Sequence, residues 1–342
     1  MNISISIKEL KSVMFAILKL RQIPDEQASF IVDDYIEAEL EGYVSHGVAK
    51  LLLLDAALKQ KTGTPEIIVR KGNYAKINGN RDLGHISGLF AVKNALELAK
   101  DNMNSFVALT NSSRYSRVKP FARKIAEAGY IGIVMNNGGP AAVTPFGSSS
   151  PIFGTNPICF SFPSSNANTY VFDFSTSKKV WAEIRQSMLE GRPLPSGCFI
   201  NANGQFTTDP NDADAVLPFG DAKGYALCYA VEILTGAFVS AKMGLASADE
   251  YDLGFLFIAL SPEMFTSLST FTESVDRLAD EVSSSKPMQN TQRVYVPGQK
   301  SKEQMEFNSK TGEIIIDQDV FSRLKQMSIS LEGGMESNAK VN

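Results

Sequence analysis

Apolar positions recur at helical spacing from the first residues of the chain: Leu10, Val13, Ile17 and Leu18 share one face, and Ser6 with Glu9 stands ahead of them at capping-box spacing. The pattern predicts a helix opening near Ser6. A second amphipathic helix is predicted from Pro24, with Asp25 and Glu26 in its first turn, through Ile31, Tyr35 and Ala38 to a stop at Gly42. A third is expected over residues 47–59 with Ser45 as its N-cap, which would leave His46 beside the helix N-terminus. From Glu66 the period shortens to two, and residues 67–69 and 74–77 flank Lys71-Gly72-Asn73, the signature of a hairpin. Helices and strands then alternate. Helices are predicted at 86–100, 122–128, 179–190, 224–235 and 262–282, and strands at 106–110, 131–135, 158–162, 170–174, 254–260 and 293–296. The fold class is α/β, and the polar tail from Ser330, with Gly333-Gly334, is expected to fray.

A chain of 342 residues can bury a substantial core and divides into more than one domain by ordinary size scaling. Its net charge of −4 carries no basic stripe that could neutralise a phosphate backbone, so nucleic acid is not an expected partner. No apolar run is long enough to span a membrane, and Lys8, Glu9, Lys11 and Lys19 break up the N-terminal segment where a signal-peptide core would lie. Cys159, Cys198 and Cys228 are odd in number and widely spaced, which suggests neither a disulfide framework nor a metal site. A soluble protein of the reducing cytoplasm is expected.

Three strings carry the candidate chemistry: Gly154-Thr155-Asn156-Pro157, Asp173-Phe174-Ser175-Thr176-Ser177 and Pro218-Phe219-Gly220-Asp221-Ala222-Lys223-Gly224-Tyr225. Each sets small residues beside an apolar strand-like or helical run, where backbone amides can approach an anionic ligand closely. Asn136 closes the strand at 131–135. Hydroxyls at Ser175, Thr176 and Ser177 can satisfy phosphate and ribose oxygens, and Lys223 offers a cation to a diphosphate. The same residues also suit ordinary strand-to-loop turns. Neither GxGxxG nor GxxxxGK[ST] occurs, so a nucleotide site would have to be built without a Rossmann crossover or a P-loop.

In their order and spacing, these strings together with Ser45-His46-Gly47-Val48, Asn111-Ser112, Gly132-Ile133, Gly204, Thr207, Asp209-Pro210 and Pro297-Gly298 resemble the malate/L-lactate dehydrogenase family that lacks a Rossmann fold. That family includes ureidoglycolate and sulfolactate dehydrogenases, diketogulonate reductase and reductases of cyclic imino acids. The resemblance implies a homodimer with an unusual NAD(P)-binding central domain on a mixed sheet, and an N-terminal helical segment packing with C-terminal elements. It implies hydride transfer between NAD or NADP and a small 2-oxo acid, 2-hydroxy acid or cyclic imine. The expected division is a substrate-side segment at 1–75, a connecting segment at 76–128, a cofactor domain at 129–290, a returning segment at 291–330 and a tail at 331–342. Cofactor contacts are expected from Tyr115, Ser116, Asn136, Gly154, Thr155, Asn156, Asp173, Phe174, Ser175, Thr176, Ser177, Lys223 and Gly224.

The departures from the family pattern fall where the chemistry should be. A His-Phe-Gly element is replaced by Arg114-Tyr115-Ser116, and the arginine of Ser-His-Gly-x-x-Arg is replaced by Lys50, a point charge in place of a planar fork. Ala182-Glu183 stands for Gly-Lys, and Asp221 adds another negative charge near the expected cofactor, which should weaken binding of an anionic dinucleotide unless these side chains point elsewhere. His46 then remains as the candidate proton donor to a carbonyl oxygen, with a structural histidine as the alternative. Ser45, Lys50 and Arg114 are the candidates for holding the substrate; arginine cannot act as a base, so Arg114 would serve electrostatically or belong to a basic surface loop with Arg117 and Lys119. His85 is expected to be structural or exposed, and Trp181 to lie in the core. A non-catalytic paralogue binding a metabolite or protein is the alternative to a reductase.

Overall fold

The computed structural model describes residues 2–166 and 169–330, and the expected fraying tail at 331–342 lies outside them. The chain forms two compact units. One joins residues up to Lys61 with those from Val282 onward, and the other runs from Thr62 to Glu281.

In the first unit β1 (Asn2–Ser6) leads into α1 (Ile7–Leu20), whose first turn is capped by Ser6 Oγ accepting the Lys8 N–H at 3.2 Å. The helix α2 (Asp25–Leu40) follows, with Ile31, Tyr35 and Ala38 on its buried side as the periodicity predicts. The expected third helix is broken up: two 3-10 turns, Val44–His46 and Val48–Leu53, precede the short α3 (Leu54–Gln60). Ser45 caps no helix. Gly47 is extended (φ −88°, ψ −156°), and the Val48 N–H donates instead to the Glu39 carboxylate at 3.0 Å, so no helical hydrogen-bond ladder runs through this segment.

The second unit opens with the expected hairpin, β2 (Glu66–Lys71) and β3 (Tyr74–Asn78), followed by α4 (Gly84–Asn102), β4 (Asn104–Ser112), α5 (Lys119–Glu127) and β5 (Ile131–Asn136). Residues 62–75 thus belong with this unit's sheet. Next come β6 (Ile158–Pro163), β7 (Thr169–Phe174), α6 (Ala182–Glu190), the short strands β8 (Phe199–Ile200), β9 (Phe206–Thr207) and β10 (Ala215–Val216), α7 (Asp221–Thr235) and β11 (Leu253–Leu260). The predicted helix at 262–282 is a 3-10 turn, Pro262–Met264, and then α8 (Leu268–Ser283); each has its own start, with Ser261 Oγ accepting the Glu263 N–H at 3.2 Å and Ser267 Oγ the Thr270 N–H at 3.1 Å.

Seven strands form one mixed sheet in the order β2-β3-β4-β11-β5-β6-β7, in which only β3 and β4 run parallel. Alternation along its central strands supplies two apolar faces. Val134, Phe255 and Phe257 meet α4 and α5, with Phe121 edge-on to Phe257 at 6.0 Å, whereas Met135, Ile158 and Leu256 pack with Val231 of α7. Because both faces are covered, a one-residue slip would exchange the two layers and mismatch their packing against the helices.

The chain ends in the first unit with α9 (Gln299–Ser309), β12 (Glu313–Asp317) and α10 (Gln318–Ile329). There β12 pairs antiparallel with β1 and α10 lies on α1. The strand predicted at 293–296 does not form. Gln299 Oε1 accepts the Val296 N–H at 3.0 Å, which turns the backbone toward α9, and Pro297 has no N–H for a ladder.

Candidate active site

The register of the large sheet gathers the candidate residues at one end. Ser112 at the close of β4 lies opposite Leu253, Asn136 at the close of β5 lies opposite Phe255, Met135 pairs with Ile158, and Ile158 pairs with Phe174. The loops 136–139, 154–157 and 174–177 therefore leave the sheet side by side. Their backbones touch: a Cβ on Gly154 would sit 2.6 Å from the Gly138 carbonyl carbon, and one on Gly138 would sit 2.5 Å from the Thr155 nitrogen. The glycines are needed because one loop crosses another. The close approach expected of a ligand at Gly154 is thus made by the protein itself.

Several residues expected to contact the cofactor also make internal bonds. Asn156 is fully buried at φ 40°, accepts the Gly138 N–H at 2.9 Å, and donates to the Cys228 carbonyl at 3.1 Å and to the Glu232 carboxylate at 2.7 Å. Glu232 in turn accepts the Gly244 N–H at 2.6 Å. Thr176 donates to the Thr155 carbonyl through its hydroxyl at 3.0 Å and through its amide at 2.9 Å. Ser177 donates to the Lys179 carbonyl at 2.7 Å. Gly224 is required because a Cβ there would lie 1.6 Å from the Phe219 carbonyl oxygen at the start of α7.

Other groups on the same loops face outward. Thr155 and Ser175 are half-buried, Lys223 is exposed in the first turn of α7, and Phe174 is exposed with its ring edge-on to Phe219. Each acidic departure has a local cation: Glu183 pairs with Arg192 at 2.8 Å, and Asp221, in the first turn of α7, lies 3.6 Å from Lys178. The Lys223 N–H is taken by the Gly220 carbonyl at 3.2 Å, and its exposed ammonium group is the cation of that turn that a diphosphate could use.

Tyr115 is half-buried, with its ring 5.2 Å from Phe121 and 4.9 Å from Phe255, and its hydroxyl donates to Asn136 Oδ1 at 2.8 Å. Burial, then the Asp173 carboxylate and Cys159, hold its phenol well above the usual tyrosine range, so it remains a neutral donor. Asp173 accepts the Lys119 N–H at 3.1 Å, which ties β7 to the first turn of α5. Ser116 is buried behind this layer. Arg114 is held at two points, its guanidinium by the Glu250 carboxylate and its N–H by the Glu250 carbonyl at 2.9 Å. Nothing in the sequence pointed to Glu250. His85 is buried with its ring 6.4 Å from Phe121, and Trp181 packs beside Val143, Phe199 and Cys228, so both are structural.

Ser45, His46 and Lys50 lie in the other unit, on the two 3-10 turns, each half-buried. The Lys50 N–H donates to the Gly47 carbonyl at 3.0 Å and the His46 N–H to the Tyr43 carbonyl at 2.8 Å. With no α-helix beginning here, the helix-terminus setting expected for His46 is absent, because the Glu39 carboxylate takes the Val48 amide. Like Glu250, Glu39 and Glu232 are residues that sequence reasoning passed over. Both were detectable as carboxylates in register with an apolar helical stripe, Glu39 four residues after Tyr35 and Glu232 four after Cys228. The two clearest surface depressions, along α9 beside Tyr295 and Phe307 and between residues 187–193 and 208–211, contain none of the candidates.

The mixed sheet with helices on both faces and the glycine-crossed loops at one end define an α/β enzyme built on neither a Rossmann nor a P-loop crossover. The sequence profile of the malate/L-lactate dehydrogenase family matches residues 5–325, and the chain belongs to that family and is an oxidoreductase of its type. It is similar to the malate/(S)-sulfolactate dehydrogenase of Methanothermus fervidus, with 31% identity covering 96% of this chain and 98% of the relative. The L-sulfolactate dehydrogenase of Methanocaldococcus jannaschii is 32% identical, covering 93% and 94% of the two chains. Among solved structures, malate dehydrogenase from Entamoeba histolytica superposes with a TM-score of 0.89 at 25% identity, covering 96% of this chain and 98% of that one.

Proposed function

We propose that this protein is an NAD(P)H-dependent reductase that moves a hydride between nicotinamide and a small carboxylate-bearing ketone, with a cyclic imine as the second substrate class. The observation that carries this is the near-complete match to the family together with retention of the Ser45-His46-Gly47 turn. The relatives are named for malate and sulfolactate, both 2-hydroxy acids, and for ureidoglycolate, with NAD(+) in one name and NADP(+) in another. A bound nicotinamide would supply the hydride. The chain's own part is to hold the anionic end of the cofactor with Lys223 in the first turn of α7, and to offer the neutral Tyr115 phenol and Asn136 amide beside the reacting ring. His46 gives the proton that the new alkoxide needs, and Lys50 with Ser45 takes the substrate carboxylate. Arg114, whose guanidinium pairs with Glu250, is the further candidate for the substrate's acid group. An imine substrate suits the loss of the family's second histidine, since an iminium is already activated for hydride attack. The enzyme is proposed to act as a cytoplasmic homodimer.

The decisive experiment is His46→Ala, assayed against a panel of 2-oxo acids and cyclic imino acids with both cofactors. Turnover should fall by roughly 100- to 10,000-fold, the range for loss of a positioned acid. NADH or NADPH affinity, read by fluorescence titration, should hardly change. A fall of less than about fivefold would remove His46 from the mechanism. No saturable cofactor binding by the parent would instead favour the non-catalytic reading.

A further inference from the structure

The turn carrying His46 rests on a buried carboxylate. Glu39, near the end of α2, is 9% exposed, and its Oε1 accepts the Val48 N–H at 3.0 Å. Its contact with Gly47 is closer than any side chain would allow: a Cβ on Gly47 would fall 2.1 Å from Oε1, 2.4 Å from Cδ and 2.7 Å from Cγ. Gly47 is needed here for space, since its φ of −88° is open to any residue. The carboxyl group therefore lies flat against the peptide that follows His46 and holds the amide that opens the turn bearing Lys50. On the other side, the Tyr43 N–H donates to the Ala38 carbonyl at 2.8 Å and the Gly42 N–H to the Glu39 carbonyl at 3.0 Å, so the segment hangs from the last turn of α2 at both ends.

We infer that Glu39 is the positioning residue of this turn, its carboxyl group fixing the Gly47–Val48 backbone so that His46 and Lys50 keep the geometry turnover requires. This rests on the role proposed for His46. The Val48 N–H bonds a carboxylate more strongly than a neutral carboxyl, whereas burial disfavours the charge. Burial raises the Glu39 carboxyl to about 7, and the Val48 N–H partly opposes that rise. The charged residues on the elements packed against α2 are His46 and Lys50 on the turns, Lys8, Glu9, Lys11 and Lys19 on α1, and Lys300, Lys302, Glu303 and Glu306 on α9, with Asp25, Glu26, Asp33, Asp34 and Glu37 on α2 and Glu41 just after it. Burial and the Val48 N–H, rather than these charges, set the direction of the Glu39 shift. The turn is thus held at its Gly47–Val48 peptide by a buried carboxyl group of the preceding helix.

The test uses the full-length protein and two readouts. In the first, kcat is followed from pH 6 to 8.5 for the parent and for Glu39→Gln, whose amide oxygen can still accept from Val48 but cannot ionise. The parent profile should carry a component near neutrality that Glu39→Gln, which cannot ionise, removes, with a change of about tenfold over one to two pH units. Superimposable profiles overturn the proposal. In the second, the ring signals of the two histidines, distinguished with His85→Asn, are followed by NMR. Glu39→Ala, and separately Gly47→Ala, should shift the His46 signal and lower kcat by about tenfold or more while cofactor affinity holds. An unchanged His46 signal in both variants overturns the proposal even if activity drops. If His46→Ala proves active, the function proposed for His46 fails, while the NMR comparison still decides whether Glu39 shapes the turn.

Discussion

Replacing Asn156 tests whether the loops at the sheet end are held from inside. Asn156→Ala removes an acceptor for the Gly138 N–H and a donor to the Cys228 carbonyl, each worth about 1 kcal/mol as a neutral bond, and a donor to the Glu232 carboxylate worth about 1.5–3 kcal/mol. The sum is about 3.5–5 kcal/mol, to which alanine at φ 40° adds about 1 kcal/mol of left-handed strain. Asn156→Gly loses the same bonds without that strain and should be milder by about 1 kcal/mol. Urea unfolding followed through Trp181, which packs on the cluster containing Cys228, reports the loss directly. Glu232→Gln provides the companion test. Two donors, the Asn156 amide and the Gly244 N–H, point at Glu232, and a glutamine has one oxygen to offer them, so one donor must face another at a cost of about 1–3 kcal/mol. A loss below about 1.5 kcal/mol for Asn156→Ala would refute this internal hold on the loops.

If Arg114 reaches the substrate carboxylate, Arg114→Ala should lower kcat/KM by about 2–4 kcal/mol while cofactor binding holds, and Glu250→Ala, which frees the guanidinium, should lower KM. Equal KM in the parent and both variants places Arg114 outside the site. Light scattering should give a mass near twice 37.2 kDa, and a monomer at micromolar concentration would count against the proposed dimer.

Elements that depend on local pattern were legible: Leu10, Ile17 and Leu18 announce α1, the Lys71-Gly72-Asn73 turn announces its hairpin, and Val134 with Met135 announces a strand buried on both sides. Contacts made by side chains from afar were not. Ser45 has the chemistry of a cap, yet the Val48 amide it might have served belongs to Glu39, and no local rule weighs a carboxylate from the preceding helix. Asn156 and Thr176 were legible as polar residues bound to lie near the site, but a ligand and a neighbouring loop ask for the same donors and acceptors. Arg114 could be placed at the right end of the sheet, whereas Glu250, which holds it, is reached only through the return of β11. The pairing of β1 with β12 joins the two ends of the described chain and has no signature at either.

That last pairing has a consequence during synthesis. The strands of the large sheet are all translated once Leu260 is made, so the second unit can fold while the remainder of the chain is still on the ribosome. By contrast β1, translated first, has no partner until β12 emerges, since Asn2 pairs with Asp317. Until then its edge is bare and α1 lacks α10, an arrangement in which unpaired strands invite foreign neighbours. A chain stopped before Glu313 would keep the large sheet intact and lack the strand that closes the small unit, the unit to which the His46 turn belongs.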